Sequence, residues 1–178
     1  MSQVSGAAEK LDIAAVNAMG PSAFVAAFGD LAESSPWVAE EAEMARPFTD
    51  RAGMAAAFRT AILEAGEEDR LALIQAHPDL AGRAAVAGTL TVESRREQKG
   101  AGLDRLTPEE FARFQRLNAD YREKFGFPFI YAVKGATKDM ILDAFAERLR
   151  HDRPTEFRTA LEQVARIIAF RIDDRVTR

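Results

Sequence analysis

Apolar residues recur three and four positions apart along almost the whole chain, and that spacing constrains the fold more than any other feature. Over residues 50–65 it links Met54, Ala57, Phe58, Ala61 and Ile62, and over 67–76 it carries Leu71, Leu73 and Ile74. Residues 108–125 align Phe111, Phe114, Leu117, Tyr121 and Phe125. Residues 138–149 align Ile141, Leu142, Phe145 and Leu149, and a last run from Pro154 to about Ile172 aligns Phe157, Leu161, Val164 and Ile168. A 3.6-residue period turns such residues onto one helical face, and no period-2 alternation bounded by hairpin turns competes with it. The prediction is an all-α fold, a single irregular bundle of about six to nine helices.

Start signals support the same reading. Ser35-Pro36 places a hydroxyl before a proline suited to the first helical position, and Thr107-Pro108-Glu109-Glu110 reads as a capping box. No repeat, low-complexity tract or linker interrupts the chain, so residues 10–174 are expected to form one domain behind a flexible 1–9. At 178 residues and 47% hydrophobic, such a domain buries roughly 70% of its unfolded surface. With 24 Lys+Arg against 28 Asp+Glu the net charge is -4. That lacks the electropositive footprint of a nucleic-acid or membrane-surface binder and favours a small solute or a protein partner. No leader pattern opens the chain and no window approaches the ~18 apolar residues of a membrane span, which points to a cytoplasmic protein. Cysteine is absent, excluding disulfides and thiolate chemistry.

Residues 125–133, FGFPFIYAV, break the helical grammar. Pro128 forces Phe127 toward an extended conformation and cannot donate a hydrogen bond, so this piece should end a helix and cross the core as extended chain. It reads either as a buried connection or as a stretch whose backbone amides face a ligand.

Proton chemistry has few candidates, because the chain holds only two histidines. His77 follows an apolar helix and precedes Pro78, a helix junction beside half-buried surface, which suits a structural histidine or an acid–base group. His151 lies among charges and reads as solvated. Over 91–101 a helical projection gathers Ser94, Glu97, Gln98 and Ala101 within about 100° of arc, away from Arg95, Arg96 and Lys99. Ser94-x-x-Glu97 equally fits a capping box. On the last helix Arg171 borders the apolar face and needs an anion, either a carboxylate of this protein or one on a substrate. Metal binding is not expected, since no three-ligand set assembles around His77 and Asp79. Gly82, Gly88, Gly100 and Gly102 follow no phosphate-loop spacing. A Ser94/His77 hydrolase and a non-catalytic interaction domain docking through 125–133 are the alternatives.

Three segments in order, HPDLAGR (77–83), TVESRREQKGAGL (91–103) and KFGFPFIYAVKGATKDMIL (124–142), resemble the 2-oxo-4-hydroxy-4-carboxy-5-ureidoimidazoline (OHCU) decarboxylases, over about residues 10 to 172. The resemblance implies an all-helical lyase without metal or organic cofactor, converting OHCU to (S)-allantoin and CO2 in urate degradation. A homodimer is compatible with a small metabolic enzyme but does not follow from these residues. The resemblance also implies His77 and Glu97 as catalytic residues. Pro78, Ser94, Gln98, the loop residues Phe127, Phe129 and Ile130, and Arg171 would contact substrate.

Overall fold

The computed structural model describes residues 10–82, 85 and 87–177. Expectations for residues 1–9, and for Arg83 in the first motif, lie outside the described residues. Nine helices are present among those described: α1 (Ile13–Ala18), α2 (Pro21–Phe28), α3 (Trp37–Glu43), α4 (Arg51–Glu64), α5 (Glu67–Gln75), α6 (Val92–Gly100), α7 (Pro108–Phe125), α8 (Lys138–Arg148) and α9 (Arg153–Arg175). The all-α expectation holds, and among the described residues the single departure from helix and coil is an isolated parallel bridge between Leu11 and Val176. Among the described residues no helix is long and apolar enough to cross a membrane.

The chain divides into two compact units, Met1–Glu64 with Ile168–Arg178, and Ala65–Ile167. In the first, α1 to α4 and the end of α9 enclose Phe24, Phe28, Met54, Phe58, Ile62 and Ile172, all fully buried. The Phe24 ring packs 4.9 Å from Phe28 and 6.2 Å from Phe58. In the second, α5 to α8 and the first part of α9 surround Ile74, Phe114, Tyr121, Phe125 and Phe145.

Local chemistry sets most helix ends. Thr107 accepts from the Glu110 amide at 3.2 Å while the Glu110 carboxylate accepts from the Thr107 amide at 2.9 Å, so the expected capping box forms. Lys138 also hydrogen-bonds Glu110 and holds that carboxyl below the usual carboxylate range. Gly126 ends α7 at φ 80°, a left-handed cap that glycine adopts without strain.

Three expectations need correction. The Ser35 hydroxyl donates to the Glu33 carbonyl instead of capping α3, whose cap position is Pro36. On α7 the buried stripe runs Phe114, Asn118, Tyr121, Phe125, leaving Phe111 37% exposed, because that first turn reaches a cavity described below. At the end of α8 it is Arg148, not Leu149, that is buried, since a partner charge awaits it.

Candidate active site

The second unit holds His77 at the point where α5 stops. The His77 amide donates to the Ile74 carbonyl at 3.1 Å, and the ring, 7% exposed, sets Nδ1 2.9 Å from the Leu73 carbonyl. A carbonyl oxygen can only accept, so Nδ1 carries hydrogen in both charge states and proton exchange falls to Nε2.

The segment after His77 is held by side chains from two helices. Arg122 of α7 pairs with Asp79 at 2.9 Å, Asn118 donates to the Leu80 carbonyl at 2.9 Å, and Gln115 donates to the Ala81 carbonyl at 2.8 Å. From α6, Gln98 Oε1 accepts from the Ala81 amide at 3.0 Å. Ala81 sits at φ 51°, in the left-handed region that an L side chain disfavours. Gly82 follows because a Cβ there would lie 2.7 Å from the Asp79 Cβ.

On α6 the projected face is realised. Ser94 and Gln98 are buried at 6% exposure, Glu97 is half-buried, and Arg95, Arg96 and Lys99 are exposed. The capping role falls to Thr91, whose hydroxyl accepts from the Ser94 amide at 3.2 Å, so the Ser94–Glu97 capping box is not the helix start. A backbone N–H can meet only an oxygen, so the bond from Ala81 orients the Gln98 carboxamide and leaves its NH2 as a donor. Gln98 and Ala81 also line a cavity of about 830 Å³ whose apolar wall includes Leu90, Leu103, Leu106 and Phe111. Gln98 is the one predicted site residue among the described residues on that wall.

Residues 126–133 cross the core without helix, as expected. The Phe127 ring packs on Tyr121 and Phe157, and the Phe129 ring stacks on Phe145 at 3.6 Å. Phe127, Phe129 and Ile130 are each at most 3% exposed, so their side chains serve the core and what they can offer a solute is main chain. Among the described residues, Ala132 is the one position of 129–133 whose amide reaches an acceptor, Gln163 Oε1 at 2.9 Å.

Sequence reasoning missed what anchors this stretch. Arg148 donates to the Ile130 carbonyl at 2.6 Å, lies 4.3 Å from the Phe129 ring centroid, and pairs with the fully buried Glu156 at 2.5 Å. The same carboxylate accepts from the Tyr121 hydroxyl at 2.5 Å and meets His151 Nδ1 at 2.9 Å. His151 is therefore not a merely solvated residue: burial of Glu156 draws it in. Burial and the neighbouring carboxylate push the Tyr121 phenol far above its usual range. A signal existed, because Glu156 shares four-residue spacing with Ala160 and Val164 while Arg148 continues the spacing of Ile141 and Phe145. Opposite charges on two apolar stripes imply a buried pair.

Arg171 belongs to the first unit. It donates to the Leu31 carbonyl at 3.1 Å and to Glu33 at 3.3 Å, the internal carboxylate that the sequence left as one of two answers. Among the described residues no three His, Asp or Glu side chains are grouped so as to hold a metal ion.

These features define a small all-helical enzyme whose second unit carries a buried imidazole, an oriented carboxamide and a half-buried glutamate. The chain belongs to the OHCU decarboxylase family, whose sequence pattern matches residues 17–173. It is 43% identical to the 2-oxo-4-hydroxy-4-carboxy-5-ureidoimidazoline decarboxylase of Haloferax volcanii, covering 93% of this chain and 96% of that protein. It is 38% identical to the uric acid degradation bifunctional protein PucL of Bacillus subtilis, over 91% of this chain and 32% of that one. A crystal structure of (S)-allantoin synthase superposes with a TM-score of 0.72 at 29% identity, covering 93% of this chain and 54% of that chain. These likenesses favour the lyase over the interaction-domain and hydrolase alternatives.

Proposed function

We infer that this protein decarboxylates OHCU, releasing CO2 and (S)-allantoin in urate degradation, with His77 handling the proton. The observation that carries the reading is the arrangement of His77 and Gln98. One imidazole has its Nδ1 committed to a carbonyl, and four residues on, the Ala81 amide locks the carboxamide of Gln98. The pair of electrons freed when the carboxylate leaves passes into the substrate's own C=N–C=O system. The protein must then orient the ring and deliver one proton to one face. His77 Nε2 supplies that proton, or polarises the adjacent hydroxyl, and is reprotonated from the medium.

Gln98 uses its NH2 to hold a substrate oxygen, since its own oxygen is engaged by Ala81. Glu97 takes the ureido and ring N–H groups, with Ser94 and Pro78 shaping the same face. The amides beside Phe129 and Ile130 offer donors to carbonyl or anionic oxygens. For Arg171 the family resemblance carries the proposal of a substrate contact.

Allantoin formation from fresh OHCU, followed by circular dichroism, tests the reading. The wild type should give one enantiomer faster than the spontaneous reaction, and His77→Ala should lose both rate and stereochemical bias. No acceleration by the wild type overturns the activity; equal enantiomeric yield from the two proteins overturns the role of His77.

A further inference from the structure

Asn118 is 5% exposed, its NH2 donates to the Leu80 carbonyl, and its own oxygen is buried without a hydrogen-bond partner among the described residues. An orphaned buried acceptor is destabilising, so an apolar residue would suit this site if stability were the only demand. What the amide does secure is one peptide plane. The Leu80–Ala81 peptide has its oxygen held by Asn118 and its N–H by Gln98, and the next carbonyl is held by Gln115 one turn back along α7.

That plane is part of a strained conformation. A left-handed alanine brings its Cβ too close to the following carbonyl oxygen and persists only where the surroundings hold it. Here three carboxamides, on α6 and α7, do so. Freed from α7, Ala81 relaxes toward negative φ and its N–H swings away from Gln98 Oε1. Gln98 then loses the bond that fixes which end of its carboxamide faces the solute.

We propose that Asn118 is a positioning residue that acts on the substrate through Ala81 and Gln98. The proposal rests on the functional reading above, in which the Gln98 NH2 holds a substrate oxygen. Asn118 touches no substrate itself. Its contribution is to keep an alanine in a left-handed turn, so that the donor end of Gln98 stays aimed.

A double-mutant cycle on OHCU turnover reads this directly. Asn118→Leu removes both the donor and the orphaned oxygen, and should lower kcat/KM about tenfold to a hundredfold, with a melting temperature close to the wild type's. In a Gln98→Ala background the same change should cost less than about twofold, because its effect has already been spent. Losses that multiply independently, or no loss in the wild-type background, overturn the proposal. If Asn118→Leu does not fold, Gln115→Met loosens the same turn from a half-buried position and enters the same cycle.

A second readout needs no turnover. The side-chain NH2 resonances of Gln98, assigned by their disappearance in Gln98→Glu, should move toward solvent-exposed glutamine values in the free Asn118→Leu protein. Unmoved resonances overturn the positioning role even if the wild type proves inactive toward OHCU, a result that by itself would sink only the functional reading.

Discussion

Arg148 and Glu156, on successive helices, meet at 2.5 Å with side-chain exposures of 6% and 0%, and the same guanidinium holds the Ile130 carbonyl. One buried ion pair thus joins the packing of α8 against α9 to the main chain of the stretch proposed to bind substrate.

Breaking that pair should be expensive. Removing one partner of a buried, hydrogen-bonded pair leaves the other charge uncompensated, so Glu156→Ala is expected to cost about 3–5 kcal/mol in unfolding free energy. Glu156→Gln, which keeps the shape and an acceptor for Tyr121, should cost less. Urea unfolding of the two variants checks the order, and an unchanged midpoint for Glu156→Ala contradicts it.

Tyr121 makes a prediction in alkali. Its phenol is pushed far above the ordinary value of about 10, chiefly by burial. A raised value means that its contribution is fully present below about pH 10. Above that, the unfolded chain loses a proton that the folded chain keeps, and stability falls by about 1.4 kcal/mol per pH unit. Absorbance at 295 nm should show Tyr121 ionising only as near-ultraviolet dichroism is lost, and Tyr121→Phe should flatten the alkaline slope by one proton. Reversible ionisation of both tyrosines in the folded protein is the contrary result.

Gln98→Glu separates folding from binding. The new side chain still accepts from Ala81 but has no NH2 to donate, and since a carboxylate at 6% exposure is costly to desolvate, the variant should melt lower while staying folded, so turnover is read at a temperature where both proteins are native. Loss of one buried donor contact is worth about 1.5–3 kcal/mol, tenfold to more than a hundredfold in kcat/KM. Wild-type kcat/KM in this variant would remove Gln98 from the substrate contacts.

Arg171 carries a structural cost that must be measured before any kinetic one. Arg171→Met takes the cation from Glu33, itself 8% exposed at the side chain, and should destabilise by about 3–5 kcal/mol. Arg171→Met with Glu33→Gln should recover part of that loss. If kcat/KM stays low in the restabilised double variant, the substrate contact stands; recovery to wild-type kcat/KM assigns Arg171 to structure.

Much of this molecule was readable residue by residue. The helices of 50–65, 108–125 and 138–149 appear within a residue or two of their projected limits, because apolar spacing and caps such as Thr107 act within a few positions of themselves. That Ser94 and Gln98 share one face of α6 follows from helical geometry alone; that this face turns inward does not, because the helix has no large apolar stripe to direct it. His77 at a helix end was legible for the same reason, since Pro78 cannot continue the ladder comfortably.

The chain's own order of residues therefore determined the all-helical class, the helix limits and which face of each helix carries polar candidates, since these depend on angles and hydrogen bonds within one or two turns. Only the tertiary structure decided that Ala81 adopts a left-handed turn, that Gln98 presents its NH2, and that Arg148, Glu156, Tyr121 and His151 share one buried network. Those choices follow from which group meets which across 5 to 38 positions of sequence, and local preference holds no record of a partner that arrives only when helices pack.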